Sequence, residues 1–357
     1  MISFNEKDLA LAMKRVGPAI KSGTLPILQH VLISCYEGKA TLTASDLEVE
    51  ISAELDADTD APGEFTIDGA RLKAISAAAT KPVKIILSAT DATVKSGRST
   101  WKLQSWPGVD FPRLEAKDLG SLRIPGAAKA IRLAANSAAN NDVRYYLNGI
   151  FIDAENNAIV GTDGHRITWR RADIDGAGQH IIPTKAALLI AGALDADGAE
   201  FFASKRFVAA ESKGFWIIAK KIDGTYPNWQ RVVKTDGTDT IKINKAELEA
   251  AIKRLLIVKD SPLFSVRASI HDEFLRLESV AQNSHQTAGE EIPILECKAN
   301  NGEFCALETS YLLKALSNID DDDIVIRADQ ARGNQNLLIG ADSSESDGFD
   351  LIMGVAR

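Results

Sequence analysis

The chain has 357 residues with 41 Lys and Arg against 49 Asp and Glu, a formal net charge of −8. That length points to two or three domains. The 25% charged and 45% hydrophobic residues exclude wholesale disorder. Taken whole, the acidic balance argues against a nucleic-acid binder. Three widely spaced cysteines (Cys35, Cys297, Cys305) argue against a disulfide scaffold, and neither a signal peptide nor a membrane span is legible, so a soluble cytoplasmic protein is expected.

Along the chain, amphipathic helical patterns with polar or proline start signals alternate with period-two strand patterns. A helical window at 5–21 is followed by a hairpin, Val31–Tyr36 and Ala40–Ser45, turning at Glu37-Gly38. A helix at 68–81 precedes a strand at Lys84–Leu87. The cycle restarts with a helix at 125–140 and a hairpin, Gly149–Asp153 and Ala158–Thr162, turning at Asn156-Asn157. A helix at 184–195 and the strand beginning Ala199-Glu-Phe-Phe follow. The third round has a helix at 244–259, a hairpin of Ser265–Ile270 and Phe274–Ser279, a helix at 308–318 and a strand from Asp323.

Helix starts recur about every 60 residues and alternate in type, so a pair of them is the repeating unit. Three similar α+β domains are expected, at 1–118, 119–236 and 237–357, each with two helices and antiparallel sheets. Two of the expected domain ends share a pattern, Asp110-Phe-Pro-Arg-Leu and Thr225-Tyr-Pro-Asn-Trp.

The usual phosphate-loop, dinucleotide, zinc and nucleophile-elbow motifs are absent from the sequence. The run Asp320-Asp321-Asp322-Asp323 lacks the spaced ligands and glycine of a calcium loop and reads as a solvated turn. No metal site and no cofactor are expected. The loop Gly161-Thr-Asp-Gly-His-Arg-Ile167 is the most distinctive: as catalysis, Asp163 and His165 supply a base and its orienter; as structure, Asp-Gly is a turn and Arg166 begins a strand.

Charge is segregated. The six helical windows hold 15 Lys and Arg against 7 Asp and Glu, so they carry +8 and the remainder −16. If the repeated helices share one side, that side is basic.

Several segments resemble the bacterial sliding-clamp family, the beta processivity subunits of replicative DNA polymerase. They are Thr24-Leu-Pro-Ile-Leu28, Leu42-Thr-Ala-Ser-Asp-Leu-Glu48, Asn141-Asp-Val-Arg-Tyr-Tyr-Leu-Asn-Gly149, Thr162-Asp-Gly-His-Arg166 and Asp223-Gly-Thr-Tyr-Pro-Asn-Trp-Gln-Arg-Val232. The resemblance runs end to end. It implies a non-catalytic clamp whose three domains per chain close head to tail with a second chain into a ring. The helices line a hole that holds double-stranded DNA without sequence preference. The loose, basic contact that sliding requires is assigned to Lys7, Lys14, Arg15, Arg71, Lys73, Lys129, Arg132, Lys253 and Arg254 in the helical windows. Lys21 and Asn141 join them by the resemblance alone.

The resemblance also implies a pocket for short peptide motifs of the replicative polymerase, the clamp loader and repair polymerases. It falls on Leu147, Thr162, Gly164, His165, Arg166, Ile167, Pro227, Arg231 and Val232, with Leu351, Ile352, Met353, Gly354 and Val355 from the C-terminal strand. The family's usual Met-Pro-Met-Arg tail is replaced here by Met353-Gly-Val-Ala-Arg357, which bears on partner range. A dimer contact is implied between Arg98, Trp101, Lys102 and Leu103 on one chain and Ile257, Val258, Glu290 and Glu291 on the other. Loading then depends on a separate ATP-driven loader. Two rivals stand beside this reading: a divergent second clamp for repair or inhibitor resistance, and a hydrolase using Asp163 and His165.

Overall fold

In the computed structural model, residues 1–21, 23, 25–88, 90–195, 199–233, 239–261, 264–280, 286–329, 334–341 and 348–353 are described. All six helical windows form helices, at Glu6–Val16, Gly69–Ala78, Ala127–Ala135, Thr184–Leu194, Lys245–Leu255 and Thr309–Ser317. Strand runs almost directly into helix, and a side-chain cap marks the change. Asn5 accepts from the backbone N–H of Lys7 at 2.9 Å, Asp68 from Arg71 at 2.8 Å, Asn244 from Glu247 at 3.1 Å and Glu308 from Tyr311 at 3.1 Å. Each such cap is worth about 1 kcal/mol. The windows at 5–21, 68–81, 125–140 and 244–259 overran their helices. Gly17–Ala19 and Leu256–Val258 tighten into 3-10 turns, the first of them at Pro18, which has no N–H to donate. A single helical turn, Gln230–Val233, was not foreseen.

All three hairpins form, with positive φ at Glu37 and Gly38, at Asn157 and at Asp272, the left-handed geometry that tight two-strand turns require. In each case a third strand extends the hairpin into a three-strand meander, and a second set of meanders follows the even-numbered helices. The six third strands are Val49–Asp56, Ser99–Pro107, Arg166–Arg171, Phe215–Lys220, Gly289–Lys298 and Gly348–Ile352.

The chain divides into two compact units, Met1–Arg123 with Leu189–Lys221, and Ile124–Leu188 with Ile222–Arg357. In the first, thirteen described strands form one ladder, in which Phe215–Lys220 pairs antiparallel with Val49–Asp56, Ile217 opposite Ile51. In the second, twelve described strands do the same, with Arg166–Arg171 against Gly348–Ile352, Thr168 opposite Asp350. Third strand therefore meets third strand in both units, and this pairing, not the sequence repeat, decides which segments cluster. Helix Ala127–Ala135 lies so close to its sheet that a Cβ on Gly161 would stand 1.9 Å from the Ala134 carbonyl oxygen. Only glycine fits there.

Among the described residues, two third strands are left with an open side. Residues 99–104 pair with 91–96 alone, before the strand bends and 105–107 join 65–67. Residues 289–293 pair with 274–278 alone, before the strand continues against Thr240–Ile243. Among the described residues no helix is long and apolar enough to cross a membrane.

Candidate functional site

The Thr162–Arg166 loop is stapled by its own side chains. Asp163 Oδ1 accepts from the backbone N–H of His165 at 2.9 Å and of Arg166 at 3.1 Å, and Oδ2 pairs with Arg166 Nε at 2.9 Å. Arg144 donates to the Asp163 carbonyl at 3.0 Å and is itself clamped to Asp142, whose carboxyl it holds down to about 2. The carboxylate of Asp163 thus orients the loop and Arg166 rather than the imidazole of His165. Nothing in this geometry favours the hydrolase reading, since the Asp163 carboxylate is engaged by Arg166 and by the loop's own N–H groups. Gly164 sits under the Arg144 guanidinium at φ 88°, a left-handed conformation that favours glycine.

Alternation along the strands decides what faces the expected pocket. In register, Ile167 lies beside Thr162 and Leu351, and Trp169 beside Val160 and Phe349. One apolar cluster contains Ile167, Leu351, Leu338, Tyr226 and Trp229, with Trp169, Phe349 and Val233 packed against it. Trp169 stacks on Trp229 with ring centroids 5.8 Å apart. Leu147, Ile167, Leu351 and Ile352 are nearly fully buried, whereas Pro227, Arg231, Val232 and Met353 are exposed. The Met353 N–H donates to the His165 carbonyl at 2.9 Å, which ties the C-terminal strand to the loop. Gly354 and Val355 lie outside the described residues.

Tyr311 was missed by sequence reasoning. It emerges from helix Thr309–Ser317 with the Arg166 guanidinium 4.9 Å above its ring and the His165 imidazole 6.4 Å away. Burial and the nearby Asp163 push its phenol up, partly countered by Arg166. A solitary tyrosine on an amphipathic helix carries no sequence signal; only the tertiary contact reveals it.

The helical cations differ in how free they are. Lys7, Lys14, Lys21 and Lys73 are exposed and have no carboxylate partner among the described residues. Arg71 is paired with Asp68, Lys129 with Asp320 at 2.5 Å, Lys253 with Glu249 at 3.3 Å and Arg254 with Glu290 at 2.7 Å. Arg15 lies 5.3 Å above the Phe215 ring, and Arg132 is half-buried. Asn141 is exposed with φ 58°, in a loop that Asn148 braces by bonds to the N–H and the carbonyl of Asp142. The window charge of +8 therefore overstates the free positive charge.

The expected contact residues are similarly divided. Ile257 is 82% exposed and Arg98 is exposed, but Leu103 is buried at 7% and Trp101 half-buried. Lys102 already pairs with Asp91 at 2.8 Å, and Glu290, its carboxyl held low by Arg254, is likewise engaged.

Repeated helix-plus-meander units give the architecture of a clamp-type protein. A family model described as DNA polymerase III beta subunit, N-terminal domain, matches residues 2–115, and one described as its central domain matches 125–228. The beta sliding clamp of Pseudomonas aeruginosa is 29% identical over 323 residues, covering 86% of this chain and 87% of that protein. The crystal structure of the DNA polymerase III subunit beta from the same organism superposes with a TM-score of 0.90 at 25% identity, covering 100% of both chains. A sliding clamp of that organism bound to griselimycin gives 0.89 at 25% identity over 99% of each chain. The chain belongs to the DNA polymerase III beta subunit family, the beta sliding clamps, and is a DNA sliding clamp: a non-catalytic processivity subunit.

Proposed function

We propose that this chain consists of three clamp domains, 1–118, 119–236 and 237–357, and closes head to tail with a second copy into a ring around duplex DNA. The observation that carries the reading is the pair of open third strands. Within the chain, third strand pairs with third strand twice; the two left over, at 99–104 and 289–293, are the counterparts needed to make the same pairing between chains. A heterologous contact that closes after two copies makes a ring. Arg98, Trp101, Lys102 and Leu103 then meet Ile257, Val258, Glu290 and Glu291, with Ile257 supplying exposed apolar surface and Lys102 and Glu290 exchanging partners on closure.

Lys7, Lys14, Lys21 and Lys73 are the first cations available to phosphates. Arg71, Lys129, Lys253 and Arg254 contribute as their exposed ion pairs yield, since such pairs hold weakly. Arg15, Arg132 and Asn141 complete the DNA-facing set. Binding is loose and falls with salt. Partner peptides of the polymerase, the loader and repair polymerases seat against Ile167, Leu351, Met353, Pro227, Arg231, Val232 and Tyr311, beside Leu147, Thr162, Gly164, His165, Arg166 and Ile352. Tethering keeps the polymerase at high effective concentration near its template, and the site of action is the cytoplasm. The test is topological. Loaded on nicked circular DNA the protein is retained, and linearising the circle releases it; equal retention on both forms overturns the ring.

A further inference from the structure

The strand pair Arg166–Arg171 and Gly348–Ile352 has two faces of opposite chemistry. One presents Ile167, Trp169, Phe349 and Leu351 to the apolar cluster. On the other, Thr168 and Asp350 stand opposite each other, at 0% and 2% exposure. Thr168 Oγ1 donates to Asp350 Oδ1, Asn318 Nδ2 donates to the same oxygen at 2.8 Å, and Arg170 Nη2 pairs with Oδ2 at 2.7 Å. The network continues to Ser137 Oγ, 2.6 Å from Thr168 Oγ1, and to Asn136 Nδ2, which donates to Asn318 Oδ1 at 2.8 Å. Asn136 and Asn318 are the C-terminal caps of helices Ala127–Ala135 and Thr309–Ser317.

A carboxylate beside two helix C-termini sits at their negative ends. A buried ion pair contributes little net stability, and apolar residues of similar volume often do as well or better. What directional bonds add is register: a one-residue slip of the C-terminal strand would move Leu351 off the face that Ile167 holds, and an apolar contact resists such a slip less than a hydrogen-bonded carboxylate does. We propose that Asp350 is a positioning residue for partner binding. Through Thr168, Arg170 and Asn318 it fixes the alignment that makes one wall of Ile167, Leu351 and the Met353–His165 backbone bond. The proposal rests on the partner pocket described under Proposed function.

The test compares wild type, D350N and the apolar double variant R170M/D350L, using the host's replicative DNA polymerase as the probe. Polymerase affinity for immobilised clamp is read by surface plasmon resonance, and unfolding by denaturant titration. The double variant strands the Thr168 hydroxyl and the Asn318 amide, still folds and unfolds cooperatively at somewhat lower denaturant, and binds the polymerase about tenfold more weakly. D350N keeps an acceptor for Thr168 and Asn318 and shows a smaller loss. Wild-type affinity in a stable double variant overturns the proposal; if that variant does not fold, wild-type affinity in D350N overturns it. The pocket reading fails separately, if M353A and H165A both leave polymerase affinity unchanged.

Discussion

The two places where third strands meet share a backbone pattern and differ in what glues it. In the first unit, Val49, Ile51 and Ala53 stand opposite Ala219, Ile217 and Phe215, and five of the six are buried apolar side chains or nearly so. Helix Glu6–Val16 packs against that strand, and Arg15 covers Phe215. In the second unit the corresponding row reads Arg166, Thr168 and Arg170 opposite Ile352, Asp350 and Gly348. The first junction is a dry contact whose strength scales with buried area. The second is a saturated polar network, which is specific in geometry and intolerant of losing one member. A repeat in the backbone has fixed the pairing and left the side-chain chemistry free to diverge.

The sharpest way to break the polar junction is Gly161→Ala. The new methyl would be driven into the Ala134 carbonyl, and destabilisation of about 4 kcal/mol or more is expected in denaturant titration. Asp350→Ala comes next. It leaves the mostly buried Arg170 guanidinium without its carboxylate and strands the Thr168 and Asn318 donors, costing about 3 kcal/mol, with amide exchange accelerated in strands 166–171 and 348–352 first. In the dry junction, Ile217→Ala costs about 2–4 kcal/mol through lost burial and a cavity, and exchange rises instead in 49–56 and 215–220.

The smallest effect is a dependence on pH. Burial raises the Glu50 carboxyl above its ordinary 4.5, although the Leu114 N–H bonded to it at 2.8 Å and Arg113 partly offset this. The folded state therefore binds this proton more tightly than the unfolded one, and ionised Glu50 costs stability as pH rises through the raised value. Glu50→Gln is expected to stabilise by less than about 1 kcal/mol at neutral pH, and the gain over wild type disappears below about pH 4.5. A constant gain across pH 4 to 8 would show that the effect is packing and not ionisation.

Elements were legible wherever a local rule applied. Asn5, Asp68 and Asn244 announce helices by capping chemistry, and Glu37-Gly38 announces a turn that needs positive φ. Pairing between third strands was not legible. It joins segments more than 160 residues apart through backbone groups that every residue carries. The candidate site divides in the same way. Thr162–Arg166 stands out by composition, but nothing local says that Asp163 is consumed by Arg166, that Tyr311 lies beneath it, or that Glu290 neutralises Arg254. A helical window counts charges without their tertiary partners, so it reads every cation as free.

The open side of 289–293 carries one further consequence. Ile294 donates to Glu273 on the paired side, so by alternation the N–H groups of Gly289 and Glu291 point outward, and the next outward position is Pro293, which has no N–H. Any strand that docks there finds its ladder cut short by a missing donor. Pro293 thus acts as a built-in stop. It hinders a lone chain from templating endless sheet growth, and it also limits the backbone grip of any strand that docks there.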